Sequence, residues 1–454
     1  MAAKTFTPHG YQHQIIGHIQ ALPRCAVWAG MGTGKTVSTL TALDGLSLVE
    51  DVYPALVLAP LRVARATWPN EVKKWTHLSH LRVSVITGDE ASRNRALQVP
   101  ADIYTTNYEQ LPWLVERLKK DWPFKTVVAD EFTRLKSFRL RQGSKRARAL
   151  GAVAHTKVDR FIGLTGTPSP NGLTDLWGQT WFLDEGHRLG RTFSAFESRW
   201  FRTGFNGYGS FPLDHAQKDI EQRLADLCVT VKGLPVEEPI RNRVMVELPT
   251  KARRLYKDME RDMFAQIGES GVEAGNAAGK TSKCHQLANG AIYVEDSTDW
   301  EEVHRAKIEA LESIVEEAAG APVLVAYHFK HDLVRLLKAF PQGRVLDADP
   351  QTIDDWNAGK IPVLFAHPQS AGHGLNMAEG GNILAFFSVN WSLEEHEQII
   401  ERVGPQRQAQ AGLKRPVFLH YLLAEGTVDE LIMQRLETKA SVQEVLLAAM
   451  ERRC

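Results

Sequence analysis

The sequence predicts an α/β fold in which two parallel-sheet lobes are joined by a mostly helical region. Three observations carry this reading. Short, almost continuously apolar runs recur in two stretches, amphipathic helical patterns alternate with them, and the segment between the stretches changes character. Strands buried on both faces of a parallel sheet read as continuous apolar runs. Their alternation with helices is the pattern of repeated βαβ units.

The first stretch contains CAVWA (25–29), ALVLAP (55–60), VSVIT (83–87), DIYTT (102–106), TVVAD (126–130) and FIGLT (161–165). The second contains PVLVAY (322–327), IPVLFA (361–366), NILAFFS (382–388) and VFLHYLL (417–423). Between them come helical patterns such as VARATWPNEVKKW and HRAKIEALESIVEEA. From about 170 to 300 the chain turns helical and aromatic, as in FSAFESRWF and ARRLYKDMERDMF. That segment includes GESGVEAGNAAGKTS (268–282), expected as an exposed loop. The predicted organisation is a first lobe over 1–235 with a helical C-terminal part, a helical linker over 236–300, and a second lobe over 301–454.

Composition narrows the classes. A chain of 454 residues suggests two to four domains. With 43% hydrophobic and 24% charged residues, wholesale disorder is excluded. No apolar run approaches the roughly 18 residues of a membrane span, and MAAKTFTPHG does not read as a signal peptide, so no membrane partner is expected. Four dispersed cysteines without a CxxC pair exclude a zinc ribbon and fit a reducing compartment. The 54 Lys+Arg balance 54 Asp+Glu, which removes the simplest argument for a nucleic-acid partner. Any such case must come from local features.

The first of these is AGMGTGKT (29–36), which follows a predicted strand and opens a predicted helix. It fits a phosphate loop built from Gly30, Met31, Gly32, Thr33, Gly34, Lys35 and Thr36. Glycines let backbone N–H groups turn around phosphate oxygens, and the helix N-terminus adds its dipole. Lys35 would neutralise the β- and γ-phosphates of ATP, and the Thr36 hydroxyl would ligate Mg²⁺. The second feature is VVADEF (127–132), an apolar strand ending in two acids. A strand end puts Asp130 at the carboxyl edge of the sheet, where it would hold Mg²⁺ while Glu131 polarises the attacking water. The bland alternatives are a glycine-rich turn and a pair of solvated acids. Both motifs in strand context, in one chain, favour the nucleotide site.

With these motifs in place, the chain resembles the Swi/Snf-type ATPases of helicase superfamily two, in motif order from residue 11 to 440. GYQHQIIGHI carries the Tyr11-Gln12 pair where that family reads adenine. LAPLRVARATWPNEVKKW (58–75), IYTTNYEQL (103–111), DEFTRLKS (130–137) and LTGTPSPNGLTDLWGQTWFL (164–183) follow in order. In the second half come VLVAYHFKHDL (323–333), SAGHGLNMAEGGNILAFFSVNWSLEEHEQIIERV (370–403) and EGTVDELIMQRLETK (425–439).

The resemblance implies two RecA-like lobes, ATP and Mg²⁺ as cofactors, and double-stranded DNA as partner. It implies DNA contacts at Pro60, Leu61, Arg62, Thr105, Thr106, Ser370 and Trp391. It implies coupling by Thr165, Gly166, Thr167, Gly372 and Gly374, and an arginine finger at Arg402 with Arg407 as its partner. Two positions depart from the pattern: His373 replaces a glycine, and Pro405 stands where a second arginine is usual. For Thr105 and Thr106 alone, ordinary β-propensity is the better reading, and only the motif frame reverses it.

RLKSFRLRQGSKRAR (134–148), with seven Lys/Arg and no acid, is either a DNA-facing strip or a solvated face. The expected activity is an ATP-driven motor that translocates on or remodels duplex DNA. The alternatives are a strand-separating DNA or RNA helicase, and an ATP-switched clamp with little turnover. Other replication, repair or recombination proteins are candidate partners. The compact motor resembles phage and bacterial members, which places it in the cytoplasm of a bacterial or phage-infected cell.

Overall fold

A computed structural model describes residues 3–30, 32–166, 168–169, 172–203, 210–270, 281–294, 299–347, 349–371 and 377–438. The chain divides into two compact units, Met1–Pro235 and Val236–Cys454.

The first unit is built on a seven-stranded sheet. In spatial order its strands are Val83–Ile86, Ile103–Asn107, Ala55–Ala59, Thr126–Asp130, Arg160–Thr165, Arg24–Ala29 and Cys228–Val231. Every pairing is parallel. Helices cover both faces, so the strands need apolar side chains in both directions. In Ala55–Ala59, Leu56 and Leu58 join one buried cluster, while Ala55, Val57 and Ala59 join the other. Complete burial of each such leucine or valine contributes about 1.5–3 kcal/mol.

The second unit repeats the scheme with six parallel strands, Ile240–Val246, Phe418–Ala424, Ile383–Phe386, Val323–Ala326, Val363–Ala366 and Arg344–Val345. Here Leu324 and Ala326 face one cluster, and Val323 and Val325 the other. All ten apolar runs singled out above are strands, and the α/β class with two parallel sheets is the fold.

The segment between the runs is mostly helical, with strands among its helices. It holds the helices Asp175–Asp184, Phe193–Trp200, Ala216–Leu224, Thr250–Ser270 and Ser282–Asn289. It also contributes one strand to each sheet. Cys228–Val231 pairs beside Arg24–Ala29, and Ile240–Val246 lies at the edge of the second sheet. The edge strand carries Arg241, Asn242 and Arg243 ahead of Val244, Met245 and Val246, with Ile240 and Met245 both exposed. Half-exposed strands lack the continuous apolar signature of central ones. Of the Gly/Ala-rich stretch, 271–280 lies outside the described residues. Thr281 at its end is fully buried, unlike the exposed loop expected there.

Candidate nucleotide site

The site lies at the carboxyl ends of three adjacent strands, Thr126–Asp130, Arg160–Thr165 and Arg24–Ala29. In open parallel sheets this is where ligands bind. Register fixes the neighbours: Asp130 pairs with Leu164, and Thr165 with Trp28.

From Ala29 the chain turns through the glycine loop into the helix Lys35–Leu46. Gly32 and Gly34 have φ of 73° and 78°, a left-handed conformation that favours glycine. Gly34 is tight for a second reason, since a Cβ there would sit 2.3 Å from the Gln12 side-chain nitrogen. Lys35 Nζ donates to the carbonyls of Ala29 (2.6 Å) and Gly30 (2.9 Å), and Thr33 Oγ1 donates to Gly30 O (2.8 Å). Thr36 is half-buried in the first helical turn. Met31 lies outside the described residues.

Gln12 is tied to the phosphate loop and to the start of its own helix. Its Nε2 donates to Thr33 O at 3.1 Å, and its Oε1 accepts from His9 N–H at 2.9 Å. Both ends of the amide serve the protein, and the residue braces the phosphate loop.

Asp130 ends its strand with both carboxylate oxygens engaged. Oδ2 accepts the Trp68 indole N–H at 2.9 Å, and Oδ1 accepts Glu131 N–H at 3.1 Å. Desolvation holds its carboxyl above the ordinary range, against the Trp68 hydrogen bond and the attraction of Lys35. Glu131 sits at φ 58°, ψ 59°, strained for a non-glycine residue and typical of functional turns. The buried Tyr108 hydroxyl donates to the Asp130 carbonyl at 2.8 Å and reaches the Glu131 carbonyl at 3.4 Å. Below the turn, a Cβ on Gly163 would come within 2.2 Å of the Phe132 ring, so a glycine makes room for it.

The residues expected to contact DNA differ in their surroundings. Thr105 and Thr106 are fully buried, and their hydroxyls donate to the carbonyls of Ala64 and Ile86, each at 2.7 Å. Both hydroxyl protons are used by the fold. Pro60 is buried, Leu61 exposed and Arg62 half-buried at the start of a helical segment. In the basic run, Arg134 and Arg146 pair with Glu109 and Lys136 with Asp175, while Arg139 stacks 3.4 Å over Phe193. Arg141, Lys145 and Arg148 remain exposed. Thr165 is buried and Gly166 follows it, while Thr167 lies outside the described residues.

In the second unit, Arg402 is buried near the end of the helix Leu393–Val403. Gly404 breaks that helix and Pro405 opens the next, Pro405–Gln410, which carries Arg407. The two arginines therefore stand on separate helices. The Trp391 indole donates to Thr281 Oγ1 at 3.0 Å and packs against the unit's own core, so its N–H is committed internally. Ser370 is exposed on Pro368–Ala371. Gly372, His373 and Gly374 lie outside the described residues.

The residues that touch the acidic turn, Trp68, Tyr108 and Gly163, do not stand out in the sequence. The signals present were the spacing of Trp68 within its motif and the tyrosine that follows Thr-Thr-x. Among the described residues, no group of three or more His, Cys, Asp or Glu is arranged to hold a metal ion.

A glycine loop between a strand and a helix, a lysine at its end and an acidic pair on a nearby strand define a phosphate-loop ATPase lobe, followed here by a second parallel lobe. The chain belongs to the SNF2-related family of helicase superfamily two, whose domain matches residues 25–283. It is 55% identical over 459 residues to protein p41 of Acyrthosiphon pisum secondary endosymbiont phage 1, covering 99% of this chain and 100% of that one. It is 25% identical over 462 residues to the mouse (Mus musculus) SWI/SNF-related matrix-associated actin-dependent regulator of chromatin subfamily A member 1. That alignment covers 92% of this chain but only 41% of the mouse protein. Among solved structures, the Sulfolobus solfataricus SWI2/SNF2 ATPase core in complex with dsDNA matches at 22% identity and a TM-score of 0.45, covering 96% of this chain and 91% of that one.

Proposed function

We propose that this protein is a Mg-ATP-dependent motor that hydrolyses ATP to translocate on or remodel double-stranded DNA. The observation that carries the reading is the acidic turn: Asp130 is oriented through both oxygens and attracted by Lys35, and Glu131 is held in a left-handed turn. The Thr36 hydroxyl and the Asp130 carboxylate are hard oxygen donors, which fits Mg²⁺. When bound, the ion would neutralise charge on the β- and γ-phosphates.

The chain's own groups do the rest. Backbone N–H groups of the loop cradle the phosphates, and Lys35 exchanges its carbonyl partners for phosphate oxygens. Glu131 orients the attacking water and takes its proton. Arg402 supplies the charge that stabilises the transition state, with Arg407 as its partner. Such a finger is worth about 10³–10⁵ in rate.

DNA as the track is supported by family membership and by the mouse relative's name as a regulator of chromatin. The exposed Leu61, Arg141, Lys145, Arg148 and Ser370 are the candidate contacts. ATPase rates measured in parallel with no nucleic acid, single-stranded DNA, double-stranded DNA and RNA test the proposal. The strongest stimulation is expected with duplex DNA. Negligible turnover at saturating duplex would instead identify a clamp, and strand displacement on forked substrates a helicase.

A further inference from the structure

We propose that Trp68 is a positioning residue for Asp130, set in place by a π-turn that Pro69 imposes. The assignment deepens the nucleotide-site reading and rests on it.

The argument starts from the backbone. Proline has no N–H, and in a helix interior its ring presses on the carbonyl four residues back. A regular helix through this segment would set Pro69 against the carbonyl of Arg65. The chain avoids that conflict. Val63–Thr67 is π-helical, and the Trp68 N–H donates to Val63 O, five residues back. The α-helix Trp68–Lys74 then resumes with proline in its first turn, where no N–H is needed. The extra residue in the turn rotates everything after it by about 100° relative to an unbroken α-helix. Trp68 is the first side chain so redirected.

Its destination is specific. Trp68 is fully buried, and its indole N–H meets Asp130 Oδ2 at 2.9 Å. With Glu131 N–H on Oδ1 at 3.1 Å, the two donors fix the plane of the carboxylate. A buried tryptophan needs a partner for its N–H, and a backbone carbonyl usually suffices. Trp122, Trp177 and Trp356 use the carbonyls of Phe124, Gly190 and Met377, while Trp200 uses the Asp219 carboxylate away from the strand ends of the site. Trp68 instead uses the acid assigned to Mg²⁺. Metal-ligand carboxylates are commonly held this way, and loss of the outer partner weakens the metal without removing a ligand.

The bland alternative is that Trp68 is core packing that happens to touch Asp130. Trp68→Phe keeps most of the packing and removes the N–H. Binding of a fluorescent, non-hydrolysable ATP analogue, measured by anisotropy in EDTA and in Mg²⁺, separates the two. For Trp68→Phe, affinity in EDTA should stay within about twofold of wild type, while the gain on adding Mg²⁺ should fall on the order of tenfold. Pro69→Ala removes no buried side chain, so it serves if the first variant does not fold. It should lose part of the same Mg²⁺-linked gain.

An undiminished gain in Trp68→Phe, or an equal loss with and without Mg²⁺, would overturn the positioning role. An undiminished gain in Pro69→Ala would overturn the part given to the π-turn. If wild type itself gains nothing from Mg²⁺, the nucleotide-site reading has failed, which is a different result from either variant failing.

Discussion

Glu131 condenses the trade made at the active turn. A left-handed conformation costs an L-residue about 1–2 kcal/mol, and glycine would relieve the strain, yet a carboxylate stands there. The Tyr108 hydroxyl on the neighbouring carbonyls holds the turn in that state. If Glu131 orients the water, Glu131→Gln keeps the shape of the turn and removes the base. That variant should bind ATP as wild type does and lose about 10²–10⁴ in turnover. Steady-state hydrolysis beside a binding isotherm checks it, and turnover near wild type would remove Glu131 from the chemistry. The residue scale is also where motif transfer leaves the side chain's surroundings unseen. Thr105 and Thr106 have hydroxyls suited to phosphate, but the sequence does not reveal that Ala64 and Ile86 already accept them.

At the scale of elements, apolar continuity located every central strand, because burial on both faces leaves no polar alternation to confuse the pattern. It failed for the edge strands Cys228–Val231, where Thr230 is exposed, Ile240–Val246, which admits arginines, and the two-residue Arg344–Val345. The acidic turn was legible as two letters at a strand end. Its support was not, because it comes from the adjacent strand. Gly163 belongs to Arg160–Thr165, and its missing side chain is the space filled by Phe132. Gly163→Val should therefore destabilise the first unit by about 1–3 kcal/mol and depress ATPase more than stability, since the displaced ring adjoins Glu131. Urea unfolding and kcat on the same preparation read the two effects. The final motif is governed by the helix break at Gly404. Arg402 ends one helix and Arg407 rides the next. Arg402→Ala should abolish turnover and Arg407→Ala reduce it; the reverse order would reassign the finger.

For the molecule as a whole, the most unexpected feature is a polar core in the second unit. Lys307 and Asp429, both fully buried, pair at 2.6 Å, and Lys307 also donates to Asn289 Oδ1 at 2.7 Å. Asn289 in turn donates to Ser388 Oγ and Asp332, and Arg335 caps its carbonyl. No local pattern announces such a network, because its members come from four separate helices and a loop. Removing one member leaves its partner buried and charged. Lys307→Met should cost about 3–5 kcal/mol, with Lys307→Met/Asp429→Leu recovering much of it.

The same unit also buries histidines without their protons. Desolvation lowers His304 to about 4 and His396 to about 3, the latter helped by Arg241, and His285 also lies well below its usual value. The unfolded chain takes up these protons near pH 6.5 while the fold does not. Between those limits the unfolded state binds more protons, so stability rises with pH. It is fully present above about 6.5 and is lost as pH falls toward 4. His396 lies tilted against the Phe386 ring, and its Nε2 meets the Tyr421 hydroxyl, whose oxygen also accepts from Arg241. Phenylalanine therefore keeps the ring contact and removes the titrating group, at a cost to the Tyr421 hydrogen bond that does not vary with pH over this range. His396→Phe should remove roughly 2 kcal/mol of the stability otherwise lost between pH 7.5 and 5.0. Urea titrations of wild type and variant at both pH values measure this. An equal acid loss in the two proteins would place the sensitivity elsewhere in the unit.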